Sequence, residues 1–308
     1  MICRICGFES VDARSFLVND KMFNGTEKFC YDECPNCGTM QIRDIPTDMS
    51  AFYPPHYYSL NSHQTFSEKW VNRVRDLIFY YRFPEFVFQK LRIKIPNLAL
   101  EAFLKTKPKK SFRILDVGCG EGKFLTSIFQ LGFKNGMGIE PFALKEQLHP
   151  FPIYKKRLSE VQGSFDCITF NHVFEHVDDV HETLEKSYEL LSENGFLMIR
   201  VPVKDSYAYQ HYRENWVQWD APRHFQLFTH KAFEILAEKH HFLVEDYYCD
   251  SYKFQFTGSE KYERGQSYQT SNSIFSKSEI QNFNTKAQEL NHGKKGDQVV
   301  VILRKKEI

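Results

Sequence analysis

A chain of 308 residues with 42% hydrophobic and 26% charged residues has ordinary globular composition, enough for one large domain with small attachments. Lys and Arg total 40 against 39 Asp and Glu, a formal charge of +1, without the basic excess that a dedicated nucleic-acid binder carries. No apolar run approaches the ~20 residues of a membrane span, and the first six residues lack the charged-then-apolar pattern of a secretory signal. The expectation is a cytoplasmic protein whose eight Cys are metal ligands or buried thiols, not disulfides.

Five of those Cys fall in residues 1–45. Cys3-x-x-Cys6 and Cys34-x-x-Cys37 are two knuckles that can offer four thiolates to one tetrahedral ion, with Cys30 left over. A structural zinc site is expected there, since four Cys leave no open position for catalysis. Residues 46–110 read as an aromatic linker and a helical lid. The linker holds Phe52-Tyr53-Pro54-Pro55-His56-Tyr57-Tyr58, and Trp70, Val74, Leu77, Ile78 and Tyr81 line one helical face. Those helices are expected to cover a substrate cleft, with contact to a membrane surface as the alternative.

From residue 111 to 308, short apolar strands alternate with helical stretches, the pattern of a parallel α/β sheet. Strands are expected at 112–117, 136–140, 165–170 and 195–201, with a weaker one at 152–154. Helices are expected at 123–131, 180–191 and 230–241. Segments 242–248 and 298–304 should pair as an antiparallel edge. The polar stretch 251–278, within a longer excursion to 297, reads as a mobile loop.

The sharpest motif is Asp116-Val117-Gly118-Cys119-Gly120-Glu121-Gly122, where a hydrophobic strand meets alternating glycines and then a helix. Glycines there allow a tight turn and close approach to a ligand. Glu140 ends the next strand about 20 residues after Gly120, where a carboxylate can accept from both hydroxyls of a ribose. The loop is neither the G-x-G-x-x-G of dinucleotide enzymes nor a P-loop.

These residues resemble the first motif and ribose-binding acid of class I S-adenosylmethionine (SAM)-dependent methyltransferases, and the resemblance runs from about 112 to 305. It implies a Rossmann-like, doubly wound, mostly parallel seven-stranded sheet. It implies that Asp116, Gly118, Cys119, Gly120, Gly122 and Glu140 hold SAM, with Phe142 near the adenine and Asn171 and His172 beside the methionine part. A zinc lobe ahead of such a core is similar to bacterial enzymes of sugar and glycan biosynthesis, including sugar C-methyltransferases. In those relatives an aromatic segment such as 52–59 approaches the active site, which makes Tyr58 a substrate candidate.

Segment 203–228, beyond the fifth strand, is where this fold places substrate choice. It crowds Trp216, Trp219, Asp220, Arg223 and His224 together. Asp220-x-Pro222-Arg223-His224 resembles a stretch of the same sugar-modifying group, in which the His lies in the active site and a Glu precedes it. Arg223 stands here in the Glu position, which weakens the case for carbon acids and favours methylation at oxygen. His224 is the expected catalytic residue and His176 the second, because imidazole accepts a hydroxyl proton near neutrality; packing or helix capping is the alternative for each. Trp219 and Arg223 are expected at the substrate, the arginine facing an anionic acceptor. The expected activity is SAM-dependent methylation of a sugar or glycan-type acceptor, nucleotide-linked or lipid-linked, in polysaccharide biosynthesis. The rivals are an RNA base methyltransferase gripping RNA through its zinc lobe, and a non-catalytic module built on the same fold.

Overall fold

The computed structural model describes residues 1–53, 98–143, 145–148 and 150–307. The expected lid helices and Tyr58 lie outside the described residues.

The seven-stranded sheet carries β4 (Arg113–Val117), β5 (Asn135–Ile139), β6 (Ile153–Tyr154), β7 (Phe165–Asn171), β8 (Leu191–Pro202), β10 (Phe242–Cys249) and β11 (Gln298–Lys305) in the order β10-β11-β8-β7-β4-β5-β6. Neighbours from β6 to β8 pair in parallel, while β11 runs antiparallel between β8 and β10. The expected mixed edge is therefore present, as is the short strand at 153–154. Chain order reverses at β4: the path goes outward through β5 and β6, then returns to β7 on the other side. That switch point opens a crevice at the carboxyl ends of β4 and β7. Helices α2 (Lys123–Gln130), α3 (Val180–Leu190) and α5 (His230–Lys239) supply apolar faces against the sheet. Asp179 and Thr229 cap α3 and α5 with their own side-chain oxygens.

Helix α1 (Leu98–Lys105) belongs with this core, although it precedes the expected boundary at 110. Phe103 is fully buried and meets the rings of Phe124 and Phe133 edge-on.

A second sheet, order β1-β2-β3-β9, joins β1 (Arg14–Asn19), β2 (Lys28–Glu33) and β3 (Met40–Ile42) to β9 (Gln226–Leu227) from the expected substrate insertion. The N-terminal lobe and the insertion are thus parts of one sheet. Behind it Tyr31, Trp216, Trp219, Phe225 and Phe256 form an aromatic core.

The expected mobile loop at 251–278 is corrected. It contains α6 (Phe254–Glu263), bonded to α4 (Tyr207–Tyr212) where Tyr212 Oη donates to Glu260 at 2.9 Å, and leads into α7 (Lys277–His292). The polar residues Gln255, Thr257, Ser259 and Lys261 of α6 are buried. Small side chains bring it close to the insertion: a Cβ at Gly258 would stand 2.5 Å from a Val217 methyl, and Ser259 Oγ accepts from the Val217 N–H at 3.0 Å. A helix buried on most sides shows no amphipathic stripe, so its composition alone resembles a loop.

Candidate functional site

At the switch point, β4 ends on Val117 and the chain turns through Gly118 (φ +64°) and Gly120 to Gly122 (φ +72°), which precedes α2. The turn needs glycine sterically as well as torsionally. A Cβ at Gly118 would lie 2.5 Å from Val173 Cγ2, and one at Gly122 would lie 2.6 Å from Ile153 Cδ1. Glu140, just past β5, binds the loop from the side: its carboxylate accepts from the Gly120 N–H and the Phe142 N–H, each at 3.1 Å. Beneath the loop, Asp116 is buried and accepts from Thr169 Oγ1 at 2.6 Å and Asn171 Nδ2 at 3.4 Å. Burial raises its carboxyl to about 7 against the opposing pull of those two hydrogen bonds. A group so poised can become anionic when a cation such as a ligand ammonium or sulfonium approaches. The Cys119 sulfur lies over Gly138, where a Cβ would stand 2.5 Å from it.

Past β7, His172 adopts φ +55°, uncommon for a side-chain-bearing residue, and turns toward two partners. Arg200 Nη1 donates to its Nε2 at 2.9 Å, and its Nδ1 lies 3.4 Å from Glu175 Oε1. Arg200 is itself buried and fixed by Asp250. Glu175 is fully buried among His172, His176 and His224. Burial favours its neutral form, but the approach of His172 and the imidazoles of His176 and His224 outweigh that and hold it down at about 2. His176 and His224 pack edge to face, ring centroids 4.8 Å apart. Burial lowers the pKa of His176 in spite of Glu175 beside it.

One open cavity is lined by Gly118, Glu140, Asn171, His172, His176 and His224. Phe142, 74% exposed, stands at the same cavity. The glycine loop, Glu140, His176 and His224 therefore face one cavity. Glu175, Arg200 and Gln218 are not among the residues the sequence points to; the Glu175-His176 dipeptide straight after a strand is the signal available for the first.

Two substrate assignments are corrected. Arg223 is wholly buried: Nε and Nη2 donate to Asp220 Oδ1 at 2.8 and 2.6 Å, Nη1 and Nη2 to the Asp20 carboxylate at 2.8 and 2.7 Å, and Nη1 to the Phe52 carbonyl at 3.0 Å. Its fork is occupied in joining the N-terminal lobe to the insertion and is not offered to an acceptor. Trp219 is buried too, its Nε1 donating to the Arg213 carbonyl and its ring against Phe16, Tyr31 and Tyr209. His224 does not cap the following helix, which Thr229 caps itself.

In the N-terminal lobe, the Sγ atoms of Cys3, Cys6, Cys34 and Cys37 lie within 4.8 Å of one another. The pairs Cys3–Cys37 and Cys6–Cys34 stand at 3.6 Å, and no disulfide forms. Four sulfurs about 2.3 Å from a tetrahedral ion would be about 3.8 Å apart, so the cage matches zinc dimensions. Cys30 lies on β2, outside it.

Residues 84–246, more than half of the chain, match the methyltransferase domain family, and the chain belongs to that family. It is 30% identical over 134 residues to a Geobacillus sp. (strain WCH70) protein with a provisional methyltransferase name, covering 37% of this chain and 54% of that one. It is 31% identical over 136 residues to the mitochondrial ubiquinone biosynthesis O-methyltransferase of Saccharomyces cerevisiae, covering 40% and 43% of the two chains. The chain thus spans about half, or less, of the length of these curated relatives. Among solved structures, it is similar to a SAM-dependent methyltransferase from Archaeoglobus fulgidus, at 18% identity and a TM-score of 0.44, covering 72% of this chain and 100% of that one. No helix among the described residues is long and apolar enough to cross a membrane.

Proposed function

We propose that the protein transfers the methyl group of SAM to a hydroxyl of a sugar or glycan-type acceptor. The observation that carries this reading is the shared cavity, where Gly118 and Glu140 lie on one side and His172, His176 and His224 on the other. Glu140 would take the ribose hydroxyls, the loop backbone the methionine part, Asp116 and Asn171 its charged end, and Phe142 the adenine face. The acceptor oxygen attacks the methyl carbon, the carbon–sulfur bond breaks, and S-adenosylhomocysteine leaves. The hydroxyl proton passes to the imidazole cluster. Because the sulfonium is already a good leaving group, alignment of oxygen, carbon and sulfur supplies most of the acceleration. Oxygen as the target is supported by the O-methyltransferase name of the yeast relative, and by Arg223 being spent in an ion cluster where a carbon-acid base would be required.

The Cys3, Cys6, Cys34, Cys37 cage is proposed to hold one structural zinc that fixes the knuckles. Thr229, at the start of α5, donates to the Cys37 carbonyl at 2.6 Å, so the cage is tied to the catalytic domain.

Incubation with labelled SAM and a panel of nucleotide sugars tests the activity: transfer to at least one sugar is expected, and transfer to RNA alone would reject the acceptor class. His224→Ala should lower turnover roughly 10²–10⁴-fold while SAM binding stays near wild type. A change confined to acceptor affinity would make His224 a binding residue.

A further inference from the structure

Three groups lie together at the cavity, with one nitrogen or carboxylate oxygen from each of Glu175, His176 and His224 within 4.8 Å of the others. His176 has Nδ1 2.6 Å from the Arg223 carbonyl, and His224 has Nδ1 2.8 Å from the Gln218 carbonyl. A carbonyl only accepts, so both Nδ1 atoms carry hydrogen and, in the neutral rings, both Nε2 atoms present lone pairs. His224 Nε2 is 3.9 Å from Oε1 of Glu175 and 3.7 Å from Oδ2 of Asp220, a carboxylate already bound through its other oxygen to Arg223. The Glu175 carboxylate is fully buried, and neither of its oxygens has a hydrogen-bond partner among the described residues. His172 does not complete it: Arg200 occupies its Nε2, and its Nδ1–H stands 3.4 Å from Oε1 without hydrogen-bond geometry. A buried carboxylate facing two imidazole lone pairs is held only with a cation among them, either a proton on one Nε2 or a metal ion.

We propose that Glu175, His176 and His224 form a second metal site, which takes a divalent first-row ion of the zinc class on the acceptor side of the cavity. One ligand atom from each residue lies within 4.8 Å of the others. Coordination at about 2.1 Å would bring them to about 3.0–3.4 Å, a closure of up to roughly 1.4–1.8 Å at the widest pair through side-chain torsions. The backbone carbonyls behind both rings are the outer partners that orient metal-ligating histidines. Two imidazoles and a carboxylate suit zinc or ferrous iron, and three protein ligands leave open positions. The site stands without the methyl-transfer reading, but its consequence rests on that reading. With the ion bound, the imidazole lone pairs are engaged and water replaces them as proton acceptor: an acceptor hydroxyl on the ion would lose its proton more readily, and two open positions suit neighbouring oxygens such as the vicinal hydroxyls of a sugar.

The test uses the full chain, first loaded with zinc at the thiolate cage and then titrated with Co²⁺ in the absence of SAM and acceptor. One cobalt per chain is expected to bind beside the retained zinc. Its visible bands should be the weak ones of nitrogen and oxygen ligands, without intense near-ultraviolet thiolate absorption. His176→Asn, His224→Asn and Glu175→Gln should each weaken that binding at least tenfold, and Glu175→Asp should keep it. Circular dichroism checks folding; should Glu175→Gln fail to fold, the two histidine variants and Glu175→Asp decide. Wild-type protein that takes up no such cobalt overturns the site, as does unchanged affinity in the folded histidine variants. Loss of methyl transfer in His224→Ala without cobalt binding in wild type would return the cluster to proton chemistry, overturning the metal while the transferase reading stands.

Discussion

Replacing Arg223 by Met is the perturbation that best separates a binding role from a structural one. The guanidinium donates five hydrogen bonds, four of them to Asp20 and Asp220, which are 5% and 8% exposed. Methionine fills similar volume but leaves two buried carboxylates without their counter-ion. Breaking a buried pair in this way costs about 3–5 kcal/mol. For a chain of this length that is a fall in melting temperature of roughly 6–10 °C, taking about 2 °C per kcal/mol. The assay is thermal and urea unfolding of wild type, Arg223→Met, Asp20→Asn and the double variant. The double variant should be less destabilised than the sum of the singles, because Asp20→Asn removes one of the two charges that Arg223→Met leaves unpaired. An Arg223→Met protein of wild-type stability with a raised KM for an anionic acceptor would show that the ion cluster does not hold the fold and would restore Arg223 to the substrate.

Two further outcomes follow from the cage and from the floor of the glycine loop. Purified protein should contain zinc bound by the four Cys, and Cys6→Ser should lose one equivalent by elemental analysis and unfold the lobe at lower temperature; equal zinc in both proteins would place the metal elsewhere. Asp116 has its carboxyl raised to about 7 from an ordinary value near 4, so the free protein meets a stability cost that is absent below the unfolded value, grows as pH rises, and is complete above about 7. Asp116→Asn should therefore gain a few kcal/mol over wild type on going from about pH 4 to pH 8 in urea unfolding, and a difference independent of pH would contradict the assignment.

The strand–glycine–helix unit and Glu140 were legible because their chemistry is local. Each rests on a few consecutive residues and one spacing fixed by a βαβ crossover. The four Cys were legible for the same reason, since C-x-x-C bends the chain into a two-ligand knuckle wherever the partner knuckle lies. Arg223 was misread because its partner Asp20 is 203 residues distant in sequence, and nothing near either residue announces the pairing. Trp219 is expected at the substrate from its place in the insertion, yet its neighbours Phe16 and Tyr31 come from β1 and β2 and close over it. β9 could not be seen as part of the N-terminal sheet, since a two-residue strand has no periodicity. Glu175 carried no signal beyond its type and its place after a strand; its importance arises only when His224 folds back beside His176.

Calorimetric titration with SAM reads out whether the cavity at the end of β4 and β5 binds the cofactor through Glu140. Wild type should bind, and folded Glu140→Ala should bind more weakly by about 1.5–3 kcal/mol, roughly ten- to a hundredfold or somewhat more, for lost hydrogen bonds to a charged group. Glu140→Ala with unimpaired SAM affinity and an intact fold, or wild type that binds no SAM, would contradict the account.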